Sequence, residues 1–323
     1  MIRYVARRIL YSLFLLVSVS LLSFALIDLA PGDFFEAMRL NPRVSASAID
    51  ALRSAHGLDE PLPVKYFHWV RCTLSGEWGF SLAYNEPAAP IIRVRARNTL
   101  LLTGTAMLIA WLIAVPFGIW SAARRGEWLD SFVQGMISIL LAIPDLVLAL
   151  LLLMWAVRSG HLPVGGMVSL DFSERTFWAK CKDVASHLVL PSLCLTAASL
   201  PLLLSHARTA MAEVLESPFI TAGRGYGIPL RRLLFHHALP AAANPLISLM
   251  GFSIGILLSS SLLVEVIFGW PGLGQLLLEA ILQRDFYLVI DSAMLASIFL
   301  ITGNLLADIL LYAIDPRIRT AQK

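Results

Sequence analysis

The sequence contains one stretch that could form a catalytic group, a serine between two glycines. The pentapeptide Gly251-Phe-Ser253-Ile-Gly255 matches the pattern by which hydrolases present a nucleophilic serine on a strand-to-helix turn. Here the pentapeptide lies inside a long apolar run that indicates a helix. Gly251, Gly255 and Ser259 then form a stripe of small residues, which lets two membrane helices approach closely. We therefore favour helix packing over a serine-hydrolase site.

The common motifs for binding nucleotides and metals are missing from the sequence. No GxxxxGK[ST] pattern is present, because none of the lysines follows a glycine, so the chain should not bind ATP through a P-loop. No HExxH pattern is present, and the seven histidines do not cluster along any one apolar run. These absences argue against ATP binding through a P-loop and against the commonest metalloprotease site, and we predict no metal site in the chain. A self-sufficient intramembrane enzyme or a secondary carrier stays open at this point.

Composition places the chain in a membrane. Hydrophobic residues make up 58% of the 323 residues, charged residues make up 15%, and the mean hydropathy is +0.75, which is too apolar for a soluble globule of this length. A helix needs about 20 apolar residues to cross a bilayer. Six runs of this kind predict an all-α integral membrane protein with six transmembrane helices, at residues 9–29, 99–121, 131–157, 187–207, 246–268 and 287–314.

Basic residues near the ends of these runs predict the orientation of the chain. With a cytoplasmic N-terminus, the inner segments are residues 1–8, 122–130, 208–237 and 315–323, and Arg and Lys are about twice as dense there as in the outer segments. The first run is not followed by a cleavage site of the A-x-A kind, so we interpret it as an uncleaved helix. Both termini are predicted to be cytoplasmic. The net charge of +3 then marks orientation and gives no support for nucleic-acid binding.

The longest segment between the apolar runs is the periplasmic loop between the first two spans, residues 31–98. Within this loop, Ser47 can cap a short helix over Ala48–Ala55, and Gly57 follows just past its end. The loop could serve as a structural lid on the outer face, or it could contact an external protein. The sequence leaves both roles open.

The three cysteines predict little chemistry. Cys72 and Cys181 fall in outer loops and Cys194 falls in the fourth apolar run, with no CxxC pattern and no metal-ligand spacing. A disulfide between Cys72 and Cys181 is compatible with an oxidising periplasm. Three unpaired thiols are the favoured interpretation.

A polar, amphipathic segment at residues 213–245 separates the fourth and fifth apolar runs. Glu213, Glu216 and the Ser217–Pro218 pair indicate the start of a helix, because acidic side chains and proline favour the first turn. Gly227 can supply the positive φ that ends such a helix. The segment could dock on a partner outside the membrane, or it could lie as an amphipathic helix on the inner membrane surface.

The residues of this segment resemble the EAA loop of permeases from ATP-binding cassette (ABC) importers, in the dipeptide, oligopeptide and nickel branch. The stretch PFITAGRGYGI, followed by HALPAAANP, is similar to that branch's YVRTARAKGL and HALRNALIP. Other segments resemble the branch in the same order: LAPGD (29–33), GLDEP (57–61), GEWGFSL (76–82), Ile143–Pro144, VEVIFGWPGLGQLL (264–277), Arg284–Asp285 and NLLADILLYAIDPRIR (304–319). The similarity covers nearly the whole chain.

The resemblance implies the type I ABC-importer permease fold, as one transmembrane domain over residues 1–323 with a cytoplasmic EAA loop at 208–237. It implies a permease subunit of the bacterial inner membrane that forms half of a translocation pathway for short peptides or similar small solutes. A second related permease would form the other half, and a periplasmic binding protein would deliver the solute. Two ATPase subunits would bind ATP and Mg²⁺, and the EAA loop would dock on one of them as a coupling helix. The resemblance therefore implies that this chain is not an enzyme and binds no cofactor of its own.

Residues carried over to the coupling loop come from the motif and its flanks. They are Glu213, Glu216, Phe219, Ala222, Gly223, Arg224, Gly227, His237 and Pro245. This chain departs from the branch where Gly223-Arg224-Gly225-Tyr226-Gly227 replaces the usual Ala-Arg-Ala-Lys-Gly. Each additional glycine costs about 1 kcal/mol in helix propensity relative to alanine, which predicts a more pliable helix. Pro240 replaces a common arginine and is expected to alter the path out of the loop.

Other candidate sites lie in or near the spans. Asp145 follows Pro144 in the third run, where it could face the translocation pathway or pair across the subunit interface. Ser253 is the second pathway candidate. Trp270 and Pro271 form a tight outer turn that we expect to be structural, although its position allows contact with the binding protein. The resemblance leaves the cargo open, because similar permeases carry short peptides most often but also metal chelates, glycosides and opine-like compounds.

Overall fold

The computed structural model describes residues 2–29, 34–35, 45–55 and 60–314. These residues are almost wholly helical, and a short antiparallel ribbon pairs strand β1 (Phe80–Ser81) with strand β2 (Glu86–Pro87). The α-helices are α1 (Ile2–Leu29), α2 (Ala46–Ala55), α3 (Leu62–Leu74), α4 (Ala88–Ala123), α5 (Trp128–Ala142), α6 (Asp145–Ser159), α7 (Phe177–Leu215), α8 (Pro218–Gly225), α9 (Leu230–Arg232), α10 (Leu239–Ala241), α11 (Ala243–Ile267), α12 (Leu273–Gln283) and α13 (Phe286–Ile314). A 3₁₀ turn covers Phe172–Glu174, and a π-helix covers Leu233–Ala238.

Five of the described helices are long and apolar enough to cross a membrane. They are Ala6–Ile27 within α1, α4, α7, α11 and Phe286–Ala313 within α13. The all-α membrane fold expected from the sequence is therefore confirmed. Whether the chain crosses the membrane six times, and with both termini inside, remains a prediction.

The third apolar run does not form the continuous span that the sequence predicted over 131–157. The chain breaks at Ile143–Pro144, and α5 and α6 meet at an angle of 96°. The break has a local cause. Proline disfavours helical backbone at the residue before it, and Ile143 is accordingly extended at φ −93° and ψ 117°. Pro144 also lacks the N–H that would continue the hydrogen-bond ladder.

The chain folds as two compact units, each built from segments that are distant in sequence. The first unit comprises residues 1–6, 100–270 and 300–323, of which the described residues are 2–6, 100–270 and 300–314. Within this unit α7 packs against α5, α6 and α11. Buried apolar side chains from both halves of α7 contribute to three clusters, so α7 is the central helix of the first unit.

The glycine stripe of α11 lies in the first unit and packs against the last helix. A Cβ on Gly251 would lie 2.9 Å from the Ala307 side chain, and a Cβ on Gly255 would lie 2.8 Å from Leu300. Both positions therefore need glycine for close approach. The packing interpretation of the GxSxG pattern is confirmed, because the stripe lies in a continuous helix and not at a strand-to-helix turn.

The second unit comprises residues 7–99 and 271–299. Its ribbon is fixed to the residue before α13, because the buried Asp285 carboxylate accepts hydrogen bonds from Ser81 Oγ at 2.7 Å and from the Ala83 N–H at 3.0 Å. Trp69 of α3 donates its Nε1–H to the buried Asp291 at 2.7 Å. Two segments that are distant in sequence, GEWGFSL and Arg284–Asp285, are thus joined in one structure.

The short helix of the periplasmic loop begins earlier than predicted. α2 covers Ala46–Ala55 instead of Ala48–Ala55, and the Ile49 N–H donates to the Ser45 carbonyl oxygen at 3.2 Å. Ser47 therefore lies inside the first turn and does not cap the helix. Gly57, the predicted stop, lies outside the described residues, as do residues 30–33 of the LAPGD segment and the DPRIR run. The three cysteines are all described, and none forms a disulfide.

Candidate functional site

The 213–245 segment folds as a short helix, a tight turn and a second helical stretch. α7 ends at Leu215, and α8 follows after the Glu216–Ser217 junction. The predicted start at Ser217–Pro218 is confirmed, because Ser217 is extended (φ −69°, ψ 149°) and Pro218 occupies the first turn. The Ser217 hydroxyl does not cap α8 and donates instead to the Val214 carbonyl oxygen.

The sequence predicted that Glu213 and Glu216 mark the start of this helix, but neither residue lies in its first turn. Glu213 lies in the last turn of α7, and Glu216 follows its end with its N–H donating to the Ala212 carbonyl oxygen at 3.2 Å. α7 continues past the predicted limit of the apolar run because Met211 and Leu215 are buried in the cluster that also receives α8. Both glutamate side chains are exposed.

The short helix α8 has two different faces. Ile220 is fully buried and Gly223 is buried, and Ile220 packs with Ile119, Met211 and other apolar side chains of the first unit. Burying an isoleucine side chain contributes about 1.5–3 kcal/mol, which fixes the inner face of α8 to its own subunit. The outer face carries exposed residues: Phe219 (53% exposed), Ala222, Arg224 and, just past the helix end, Tyr226 (87% exposed).

The end of α8 is a Schellman turn centred on Gly227. The Gly227 N–H donates to the Arg224 carbonyl oxygen at 3.0 Å, and the Ile228 N–H donates to the Gly223 carbonyl oxygen at 3.1 Å. Gly227 has φ +75°, which confirms the positive φ predicted for it. The turn sends the chain back toward its own subunit, where Leu233 and Leu234 are buried.

One of the two additional glycines of the loop has a packing role. A Cβ on Gly223 would lie 2.9 Å from Leu233 Cδ2, so glycine lets α8 approach the returning chain closely. A Cβ on Gly225 would meet nothing within 4 Å. Gly223 thus has a packing reason to be glycine, and Gly225 has none. The greater pliability of the helix stays a prediction, which now rests on Gly225.

The path out of the loop widens into a π-helix before α11. In this stretch the Leu239 N–H donates to the Leu234 carbonyl oxygen, five residues back, and Pro240 follows without an N–H of its own. The proline thus accompanies a wider turn, in agreement with the altered path that its presence predicts. His237 is exposed on the π-helix, and Pro245 is exposed in the first turn of α11.

A group of polar side chains close to α8 was missed by the sequence interpretation. Arg125, in the turn between α4 and α5, forms an ion pair with Glu216 at the α7–α8 junction. Asp130, at the start of α5, is buried and forms a second ion pair with Arg208 of α7, whose side chain is 17% exposed. The sequence placed Asp130 and Arg208 in two different inner segments, 122–130 and 208–237, each with other charged residues, which does not specify a pair.

The two pathway candidates lie in the first unit, but they bond to different partners. Asp145 is half-buried at the start of α6, directly after the helix break, and its Oδ2 accepts a hydrogen bond from Ser260 Oγ at 3.3 Å. Ser253 is buried, and its hydroxyl donates to the Leu249 carbonyl oxygen of its own helix at 2.7 Å. Asp145 therefore keeps a polar environment, whereas the Ser253 hydroxyl is already satisfied.

The turn at Trp270–Pro271 was expected to be structural, with contact to a binding protein as the alternative. It consists of a buried tryptophan and a hydrogen-bonded proline. Trp270, in the first unit, is 0% exposed and packs in the apolar cluster that includes Leu190, Val264 and Phe268. In the second unit, the Pro271 carbonyl oxygen accepts a hydrogen bond from Asn98 Nδ2 at 2.7 Å. The indole of Trp270 is therefore a core side chain, as its expected structural role requires, and not an exposed contact.

The long apolar helices and the broken helix pair together define a polytopic helical membrane protein, and the short helix α8 carries one buried and one exposed face. Comparison with protein families gives the particular class. Residues 114–320 match the binding-protein-dependent transport system inner membrane component, and residues 1–99 match the N-terminal model of the same membrane component. The chain belongs to this family.

Similar proteins match along their full length. The oligopeptide transport system permease protein AppB of Bacillus subtilis (strain 168) is 34% identical over 320 residues, which cover 98% of this chain and 99% of AppB. The glutathione transport system permease protein GsiC of Escherichia coli (strain K12) is 32% identical over 320 residues, which cover 99% of each chain. These matches confirm the branch that the EAA-loop segments indicated.

Solved structures support the fold. A chain of the MetNI methionine ABC transporter in an inward-facing conformation matches with a TM-score of 0.56 and 18% identity, over 69% of this chain and 96% of the MetNI chain. The protein is thus a multi-pass permease subunit of an ABC importer in the inner membrane. It is a non-catalytic component, and its family works with an ATPase and a binding protein.

Proposed function

We propose that the 213–245 segment is the ATPase-coupling loop of this permease and that α8 is its coupling helix. The observation that carries the proposal is the two-faced packing of α8. Ile220 and Gly223 are buried against the chain's own core, whereas Phe219 and Tyr226 present aromatic surface to the outside. Aromatic side chains at the centre of an interface commonly provide most of its binding energy.

The alternative of a helix that lies on the inner membrane surface receives less support. Such a helix needs an apolar face that is free to enter the lipid headgroup region. In this chain Ile220, from the apolar face of α8, is buried among Met211, Leu215 and Leu233 instead. An ATPase cleft with an apolar floor would fit the two aromatic side chains that remain exposed.

For the cargo, we propose short peptides. AppB is named for oligopeptide transport and GsiC for glutathione transport, and both align with this chain from end to end. Asp145 is the better of the two pathway candidates, because its carboxylate lies at a helix break and could meet the ammonium group of a peptide. Competition between labelled peptides and metal chelates for uptake would test this assignment.

The proposed assembly contains this chain, a second related permease, two ATPase subunits and a periplasmic binding protein in the lipid bilayer. ATP and Mg²⁺ would be used by the ATPase subunits. Closure of the two ATPases would move α8, and the spans would alternate between inward-facing and outward-facing states by rigid-body motion. Both termini would lie in the cytoplasm, with residues 208–237 on the ATPase side and residues 31–98 in the periplasm.

Photo-crosslinking from the outer face of α8 tests the coupling proposal. A photoreactive amino acid in place of Tyr226, in cells that express the whole transporter, is expected to capture an ATPase subunit, because this side chain is 87% exposed beside the helix. Mass spectrometry of the adduct identifies the captured chain. The matched control is Trp178, which is 80% exposed at the start of α7 and is predicted to face the periplasm. ATPase capture from both positions, or from neither, would contradict the proposal.

A further inference from the structure

Asp130 is a buried carboxylate whose two oxygens both accept hydrogen bonds from other parts of the first unit. Arg208 of α7 donates from Nε to Oδ1 at 2.7 Å and from Nη2 to Oδ2 at 2.9 Å, so the ion pair is bidentate. Ser121 Oγ of α4 donates to Oδ1 at 2.6 Å, and the Gly126 N–H donates to Oδ2 at 3.0 Å. Asp130 itself is 4% exposed.

This arrangement fixes three helices and one turn relative to one another. The paired hydrogen bonds between a guanidinium and a carboxylate set both distance and orientation, which a single point charge does not. A buried ion pair adds little net stability compared with apolar side chains of the same size, because both charges lose their hydration. The property that the pair provides here is a defined geometry between α4, α5 and α7.

The same end of α7 is joined to the proposed coupling helix. Arg208 lies about two helical turns before Leu215, and between them Met211 packs in the cluster that buries Ile220 of α8. A second ion pair, Arg125–Glu216, also bridges the α4–α5 turn and the α7–α8 junction, but its side chains are 59% and 68% exposed, so it contributes little. The contact that joins the Asp130–Arg208 end of α7 to α8 is therefore the apolar packing of Met211 and Ile220.

The far end of α5 leads to the broken span. Asp130 lies in the first turn of α5, and α5 ends at Ala142, immediately before the break at Ile143–Pro144 and the pathway candidate Asp145. α5 also packs along α7. A displacement of the α7–α8 region would therefore reach α5 at its first turn, and α5 connects directly to the break.

We propose that Asp130 and Arg208 are positioning residues for transport, which form a clasp that makes α5 and the helix break move together with the coupling helix. The proposal rests on the proposed function of α8 and adds the route from α8 to the pathway. Ser121 and the Gly126 N–H orient the carboxylate in the clasp. The clasp predicts that its loss uncouples ATP hydrolysis from transport without preventing assembly of the complex.

The test compares the assembled transporter with and without the clasp in lipid nanodiscs and proteoliposomes. Asp130→Asn removes the charge, and Arg208→Lys keeps a charge but cannot donate to both oxygens in the same geometry. Each variant is expected to lower the ratio of substrate-stimulated to basal ATPase activity, and the solute transported per ATP, by about fivefold or more, the lower range of coupling between distant sites. Ser121→Ala removes one of the four hydrogen bonds and should lower the same ratio by a smaller factor.

The matched control is an exposed ion pair on the same turn. Arg124 and Glu127 are both 58% exposed and lie 3.9 Å apart, so Arg124→Gln should leave the ratio unchanged. A purely structural role for the clasp would lower the yield of complex but not the ratio per assembled complex. An unchanged ratio in Arg208→Lys and Ser121→Ala would overturn the proposal, even if Asp130→Asn fails to assemble.

The experiments distinguish failure of the clasp proposal from failure of the proposed role of α8 as the coupling helix. If a change at Gly227 uncouples the transporter and the clasp variants do not, the clasp proposal is wrong and the coupling helix stands. If neither change affects coupling, the assignment of α8 is wrong as well. Loss of coupling in the clasp variants and at Gly227, with a normal Arg124→Gln control, is the result that we expect.

Discussion

Replacing Gly227 by proline is expected to leave the chain in the membrane and to reduce substrate-stimulated ATPase activity of the assembled transporter by about tenfold or more. The proline ring fixes φ near −65°, whereas Gly227 has φ +75°. Proline also lacks the N–H that donates to the Arg224 carbonyl oxygen in the Schellman turn. Strained backbone of this kind costs about 1–3 kcal/mol per residue, and about 1.4 kcal/mol corresponds to a tenfold change. The measurement is ATPase activity of the purified complex with and without loaded binding protein.

Asparagine at the same position provides the control for the Gly227 prediction. Asparagine tolerates a positive φ better than other residues with a side chain, and a Cβ at position 227 would meet nothing within 4 Å. Gly227→Asn should therefore retain most of the stimulated activity. Equal activity in Gly227→Pro and the wild type would contradict the role of the turn. An equal loss of stimulated ATPase activity in Gly227→Pro and Gly227→Asn would show that any side chain at this position, and not the backbone conformation, causes the loss.

Trp270→Ala is expected to destabilise the protein by about 3–5 kcal/mol, the range for truncating a large buried aromatic side chain. Trp270 is 0% exposed in the cluster of Leu190, Val264 and Phe268, so truncation leaves a cavity in the core of the first unit. The measurement is the midpoint of thermal unfolding of the purified chain in detergent, followed by helical circular dichroism or intrinsic fluorescence.

Trp178 serves as the matched control for this stability prediction. It belongs to the same unit and is 80% exposed, so Trp178→Ala should change the stability by no more than about 0.5 kcal/mol. A Trp270→Ala protein with unchanged stability and weakened binding of the periplasmic protein would support the contact role instead. That outcome would contradict the burial described here.

Long-range periodicity and composition predicted the class of fold, but not where helices end. Apolar runs predicted the α4, α7, α11 and α13 spans because a bilayer demands about 20 apolar residues in sequence. The end of α7 lies beyond its apolar run, since the polar turns after position 207 are held by packing on the cluster around Met211. Pro144 disfavours a continuous helix, but the 96° angle depends on the packing of α5 and α6 against α7, which no local pattern contains.

The candidate site was predictable where local chemistry decides it. Ser217–Pro218 and Gly227 fix the start and the end of α8, because these residue types have intrinsic backbone preferences for those positions. Asp130 and Arg208 could not be paired in advance, because they are far apart in sequence and each has several oppositely charged candidates. The same holds for Trp270, whose burial depends on helices from three other parts of the chain.

The most direct test of α8 as an ATPase-coupling helix is affinity purification of the tagged chain from its native membranes, with mass spectrometry of the proteins retained with it. We expect ATP-binding cassette subunits and a second, related permease to be retained in amounts comparable to the chain. Purification of the wild-type chain alone, without any ATPase, would contradict the assignment of α8 as a coupling helix.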